Sequence, residues 1–162
     1  MIRPPRAVTE KRQADAFQLG ETMFATPATV LSAFATLLAV FVLIYTFGQA
    51  GRMRARHKII APAITGHPQF ERALRVQMNT IEQFVIFLPL LWLATTYFRI
   101  YGWLPAILGF VWCIGRIIYS VGYMAAPEKR GPGFGISILA NLGLLILSVY
   151  GLVATWIAGT VL

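Results

Sequence analysis

Two stretches of this chain, 27–51 and 134–159, carry no charged side chain, and as helices each is long enough to cross about 30 Å of hydrocarbon. Nothing constrains the fold more. A backbone immersed in lipid must satisfy its own hydrogen bonds, and a continuous helix does so. Two further apolar stretches, 84–98 and 103–124, bring the candidate spans to four, the third with Arg116 as its only charge. With 57% hydrophobic and 12% charged residues over 162 positions, the chain reads as a polytopic membrane protein with room for one small helical bundle and no second domain.

The expected organisation is a polar leader over 1–24 followed by an all-α, integral membrane four-helix bundle over 25–162, with spans near 27–51, 70–98, 103–124 and 134–159. Pro27 suits the first turn of the first helix. A basic run, Arg52, Arg54, Arg56, His57 and Lys58, follows that span, and Pro62, Gly66 and Pro68 mark a loop in which His57 and His67 read as solvated. The second helix is polar in its first turns and contains Pro89, which removes a backbone donor and predicts a kink. Gly135, Ala140, Gly143 and Ser148 give the fourth span small residues for close helix contact.

Cations set the expected orientation. Arg52, Arg54, Arg56 and Lys58, with Arg72 and Arg75 just beyond, stand against Arg99 alone in the second connection, which places the first and third connections in the cytoplasm. The formal net charge of +8 does not point to nucleic acid, because the basic residues lie beside apolar spans and not on a soluble module. Cys113, the single cysteine, excludes an intrachain disulfide and leaves no thiolate metal site, so no metal is expected.

Two polar stripes carry the chemistry. Arg75, Asn79 and Glu82 are spaced by four and three residues, so they share one face of the second helix where it approaches the bilayer. Arg116, Tyr119 and Tyr123 share a face of the third helix by the same rule, with Arg130 just beyond its end. Because the connections alternate sides, the start of helix two, the end of helix three and Arg54 fall at one membrane face. Guanidinium groups grip carboxylates bidentately, a carboxylate accepts from an ammonium group, and an amide and phenols supply neutral bonds. The inventory suits a small zwitterionic peptide. A nearby arginine would favour the thiolate of such a peptide if it carried a thiol.

The strings that run from Phe70, Glu71 and Arg72 through Arg75, Asn79 and Glu82, and from Arg116 through Tyr119 and Tyr123 to Arg130, resemble the membrane-associated proteins in eicosanoid and glutathione metabolism. The resemblance covers roughly residues 28–158. It implies a homotrimer in membrane lipid, with glutathione as co-substrate bound between neighbouring subunits near the cytoplasmic face. Arg75, Asn79 and Glu82 would hold it from one subunit, and Arg54, Arg116, Tyr119 and Tyr123 from the next. Arg130 would face the sulfur as the catalytic residue. The implied activity is glutathione transfer to a hydrophobic small-molecule acceptor arriving from the bilayer, with glutathione-dependent peroxide reduction alongside. Gln83 stands where the leukotriene-forming branch has a tyrosine, which tells against leukotriene specificity.

Each feature has a plainer reading. A polar trio within a bundle can simply fix helix packing, interfacial tyrosines can be belt residues, and Arg130 alone would be a solvated or headgroup-facing charge. The rival to an enzyme is a non-catalytic lipid-binding or partner-activating scaffold of the same architecture. A small transporter is disfavoured because the fourth span reads as offering no polar pathway.

Overall fold

The computed structural model describes residues 26–160, and the leader expected over 1–24 lies outside them. Four long helices follow one another: α1 (Pro27–Arg56), α2 (Pro68–Tyr97), α3 (Leu104–Ala125) and α4 (Gly131–Thr160). A single 3-10 turn, Pro127–Arg130, leads from α3 into α4. All four helical segments are long and apolar enough to cross a membrane.

Local chemistry starts the helices. Thr26 caps α1 by accepting the Thr29 amide at 3.3 Å, and Pro27 fills the first turn, where a missing N–H costs nothing. Pro68 opens α2 in the same way, with His67 Nδ1 accepting the Gln69 amide at 3.2 Å. One boundary differs from expectation. Apolarity stops at Gly51 but α1 continues to Arg56, so Arg52, Arg54 and Arg56 are helical and not in a loop; no proline stands between Gly51 and Pro62, and terminal cations complement the helix dipole. α2 runs through Pro89 as one helix. In the α1–α2 connection His57 and His67 stack at 3.5 Å between ring centroids, and His57 Nε2 lies 3.1 Å from Gln69 Oε1. They are less solvated than the sequence suggests.

The bundle alternates up and down. Ser32 at the start of α1 meets Thr95 near the end of α2 at 2.7 Å, Asn79 early in α2 meets Arg116 late in α3, and Gln83 of α2 meets Asn141 of α4 at 3.0 Å. The core threads all four helices through Ala35, Ala39, Val42, Phe87, Leu91, Trp112, Cys113 and Leu144. Phe87 and Trp112 stack with centroids 4.2 Å apart. Cys113 is a buried packing residue, as its apolar surroundings suggest. Outward faces are apolar as well: Leu139 is 68% and Trp156 73% exposed. Surface of that kind needs lipid or a second protein against it.

α3 and α4 approach so closely that their backbones touch at Gly133, where an added methyl group would fall on the Tyr119 backbone nitrogen. Gly135, expected to serve such a contact, has nothing within 4 Å of the corresponding position. The fourth helix is also more polar inside than expected. Ser137, Asn141 and Ser148 are buried, bonded respectively to Gly133 O, to Gln83 Oε1 and to the Leu144 and Leu90 carbonyls. These bonds tie α4 to itself and to α2.

Candidate functional site

The end of the bundle that gathers the finish of α1, the start of α2, the finish of α3 and the 3-10 turn also gathers most of the charge. On α2 the positions Ala73, Val76, Thr80, Gln83, Phe87, Leu91 and Ala94 recur at three- or four-residue steps and are all buried. Arg75, Asn79 and Glu82 each lie one residue before a member of that stripe. They therefore sit on its flank, Asn79 half-buried and Arg75 and Glu82 exposed.

From α3, Arg116 reaches across to this flank. The residue is fully buried, and its Nη2 donates to Asn79 Oδ1 at 3.1 Å and to Thr80 Oγ1 at 3.0 Å. Asn79 Nδ2 in turn donates to Glu82 Oε2 at 3.2 Å. The guanidinium carbon of Arg116 lies 4.1 Å from the Tyr119 ring centroid, a cation–π contact. Tyr119, buried, packs against Tyr123 at 5.6 Å, and the Arg130 guanidinium sits 5.7 Å from the Tyr123 ring. A continuous line of contacts thus runs from Glu82 to Arg130.

Beside it opens a cavity of about 550 Å³, lined among others by Pro68, Glu71, Arg72, Arg75, Met78 and Tyr123. Arg75 and Tyr123, one from each stripe, share this space. Arg54 turns inward, its Nη1 donating to Ala63 O at 2.9 Å and its guanidinium lying 4.6 Å from the Phe70 ring. Arg52 and Arg56 are exposed, so of the three alternating arginines Arg54 is the inward one.

One expectation from the resemblance needs correction. It assigns Arg116, Tyr119 and Tyr123 to the subunit next to the one supplying Arg75, Asn79 and Glu82, whereas within one protomer Arg116 already bonds Asn79 and Tyr123 already lines the cavity of Arg75. α2 and α3 are antiparallel neighbours whose polar ends coincide, so the stripes join without a second chain.

Three polar residues at this end go beyond the expected set. Thr80 is the second acceptor of Arg116. Arg72 lines the cavity, with Nη1 3.5 Å from Ala125 O, and Glu71 accepts the Gly66 amide at 3.0 Å. Glu71 and Arg72 already stand in the string that carries the resemblance, and Thr80 shows in the sequence as a hydroxyl falling in the apolar stripe of α2.

The MAPEG family model matches residues 32–150 of the chain. Human microsomal glutathione S-transferase 2 is 40% identical over 119 residues, which is 72% of this chain and 80% of the relative. Guinea pig (Cavia porcellus) leukotriene C4 synthase is 37% identical over 124 residues, 76% of this chain and 81% of the relative. An uncharacterized protein of Synechocystis sp. is 44% identical over 119 residues, 72% of this chain and 81% of the relative.

Proposed function

This chain belongs to the MAPEG family, and from that premise we propose that it is an integral membrane glutathione transferase, joining the thiolate of glutathione to hydrophobic electrophiles. The observation that carries the reading is the bonded line from Glu82 through Asn79 to Arg116 and Tyr119, beside a cavity that Arg75 and Tyr123 share. Such a site offers cations for the carboxylates of a tripeptide and, in Glu82, an acceptor for its ammonium group.

In this reading Arg75 grips a carboxylate, Asn79 and Glu82 hold the γ-glutamyl end, Tyr123 bounds the cavity, and Arg54 adds positive charge at the same face from the end of α1. Arg130, exposed beside Tyr123, swings over the sulfur. A fixed positive charge there favours S⁻ over S–H, so the thiol proton passes to solvent without a dedicated base. The thiolate then attacks the electrophilic carbon of an acceptor; a carbon–sulfur bond forms and the leaving group departs with its electron pair. The apolar flanks let the acceptor arrive from lipid.

We place the chain in a homotrimer, with the site end facing the cytoplasm. The exposed apolar faces support assembly or lipid cover, and among the described residues the cations Arg52, Arg54, Arg56, Lys58, Arg72, Arg75, Lys129 and Arg130 at the site end, against Arg99 at the other, support the orientation. Gln83 accepts from Asn141 across the α2–α4 interface, so its side chain is committed away from the cavity. Glutamine at this position supplies no phenol, which supports a general acceptor range over leukotriene formation.

The test is spectroscopic and kinetic. Adding glutathione to the detergent-solubilised protein should produce thiolate absorbance near about 240 nm at neutral pH, where free glutathione is protonated. A flat difference spectrum, with no turnover of a chloro-nitrobenzene acceptor, points instead to the scaffold. Arg75→Ala should raise the KM for glutathione by about tenfold or more while changing kcat by less than about threefold, as expected when a binding contact common to ground and transition states is lost. An unchanged KM removes Arg75 from the site.

A further inference from the structure

A fully buried guanidinium is poorly placed to be a ligand's first contact, yet Arg116 heads a chain of bonds that ends on an exposed carboxylate. Resting on the assignment of the α2 stripe to glutathione, we propose that Arg116 and Thr80 are a positioning pair, which sets the amide orientation of Asn79 and through it the direction of Glu82, and that neither touches the tripeptide.

The donor count at Nη2 leaves little freedom, while Nε and Nη1 of Arg116 are buried without a hydrogen-bond partner. Arg116 has only hydrogens to give, so whatever it meets must accept. Its Nη2 carries two hydrogens and has two acceptors at bonding distance, Asn79 Oδ1 at 3.1 Å and Thr80 Oγ1 at 3.0 Å. The Thr80 hydroxyl hydrogen is used on the Val76 carbonyl at 2.7 Å, so only its lone pairs face the guanidinium. Below, the Tyr119 ring supports the guanidinium face, its centroid 4.1 Å from Cζ. With Nη2 held in this way, the amide of Asn79 must present its oxygen to Arg116. Its nitrogen then points to Glu82, donating to Oε2 at 3.2 Å.

The consequence is directional. A flipped amide would set its oxygen against the Glu82 carboxylate, and two acceptors repel. In the observed orientation Asn79 holds one carboxylate oxygen and leaves the other free on an exposed side chain. That oxygen is where an ammonium group would bind. Thr80 therefore influences recognition of a group it never meets, through two intervening side chains.

The test separates positioning from mere stability by changing the ligand as well as the protein. Calorimetry on the full-length solubilised protein compares glutathione with its analogue lacking the α-amino group, for wild type, Thr80→Val, Thr80→Ser and Arg116→Lys. Valine keeps the shape of threonine and removes the acceptor, so the bundle stays packed where a larger change at Arg116 would not guarantee it. Thr80→Val should weaken glutathione by about fivefold, the effect of one hydrogen bond, while changing the deamino analogue by less than about twofold. Thr80→Ser should restore wild-type affinity. Arg116→Lys, a point charge in place of a planar fork, should behave like Thr80→Val or worse, with the loss again confined to the ligand that has the amine. Equal weakening of both ligands, no weakening of either, or a serine variant no better than valine overturns the inference while leaving the transferase reading intact. A wild-type protein that binds no glutathione overturns both.

Discussion

Alanine at Arg130 is expected to lower kcat for conjugation by about a hundredfold or more, the loss typical of removing one preorganised charge from a developing or reactive anion. The glutathione Kd should stay within about threefold, because the peptide's ends are gripped elsewhere. Position supports this division. Arg130 ends the 3-10 turn, exposed, with its guanidinium 5.7 Å from the Tyr123 ring, while Asn79 and Glu82 are linked to each other and to Arg116 on the α2 side. The pH profile should change in a stated direction. With the cation removed, the bound thiol titrates closer to its ordinary value of about 8.5, so activity that is flat through neutral pH in the wild type should climb with pH in the variant. Arg130→Lys should recover part of the rate by restoring charge without the planar fork. Stopped-flow absorbance of the thiolate and steady-state turnover from about pH 6 to about pH 9 make the comparison. Wild-type kcat in the alanine variant removes Arg130 from catalysis.

The second large effect falls far from any charge. Gly133→Ala should destabilise the bundle by about 3 kcal/mol or more, at the upper end for overpacking, because the atoms in the way are backbone and cannot rotate aside. The new methyl group would meet the Tyr119 nitrogen and Cα and lie 2.7 Å from the Gly115 carbonyl oxygen. α3 and α4 would have to part at that crossing. Tyr119, which packs under Arg116 and against Phe134, would move with α3, so glutathione binding should fall together with stability. Thermal unfolding followed by near-ultraviolet circular dichroism reads the first effect and calorimetry the second. A melting temperature within about 2 °C of wild type would show that the two helices do not cross so closely.

Much of this was legible in advance, residue by residue. Hydropathy located all four spans, and the steps of four and three from Arg75 to Glu82 put three polar side chains on one flank of α2. The alternation of connections brought the beginning of α2 and the end of α3 to the same face. Hydropathy failed at the end of α1, because a helix ends where its hydrogen bonding is broken and not where its lipid contact stops; Arg52 to Arg56 continue the ladder. It failed again on α4, whose uncharged sequence hid an inward row of Ser137, Asn141 and Ser148. A serine that donates to a neighbouring carbonyl and an asparagine that donates to a neighbouring amide oxygen are uncharged and at home in a bundle core, so nothing in the composition of α4 marks them.

Sequence by itself determined the class of the protein, the four membrane-length helices of the described residues and the end at which their polar chemistry gathers, because hydrocarbon thickness and backbone hydrogen bonding act on each segment separately. Only the tertiary structure decided that Arg116 turns inward to Asn79 and Thr80, that Gln83 is spent on Asn141, and that both stripes meet within one protomer. Those outcomes depend on how far each helix is rotated and slid against its neighbours. Close approaches such as that of Gly133 on Tyr119 help fix rotation and offset, and they arise between residues whose relation no single segment contains.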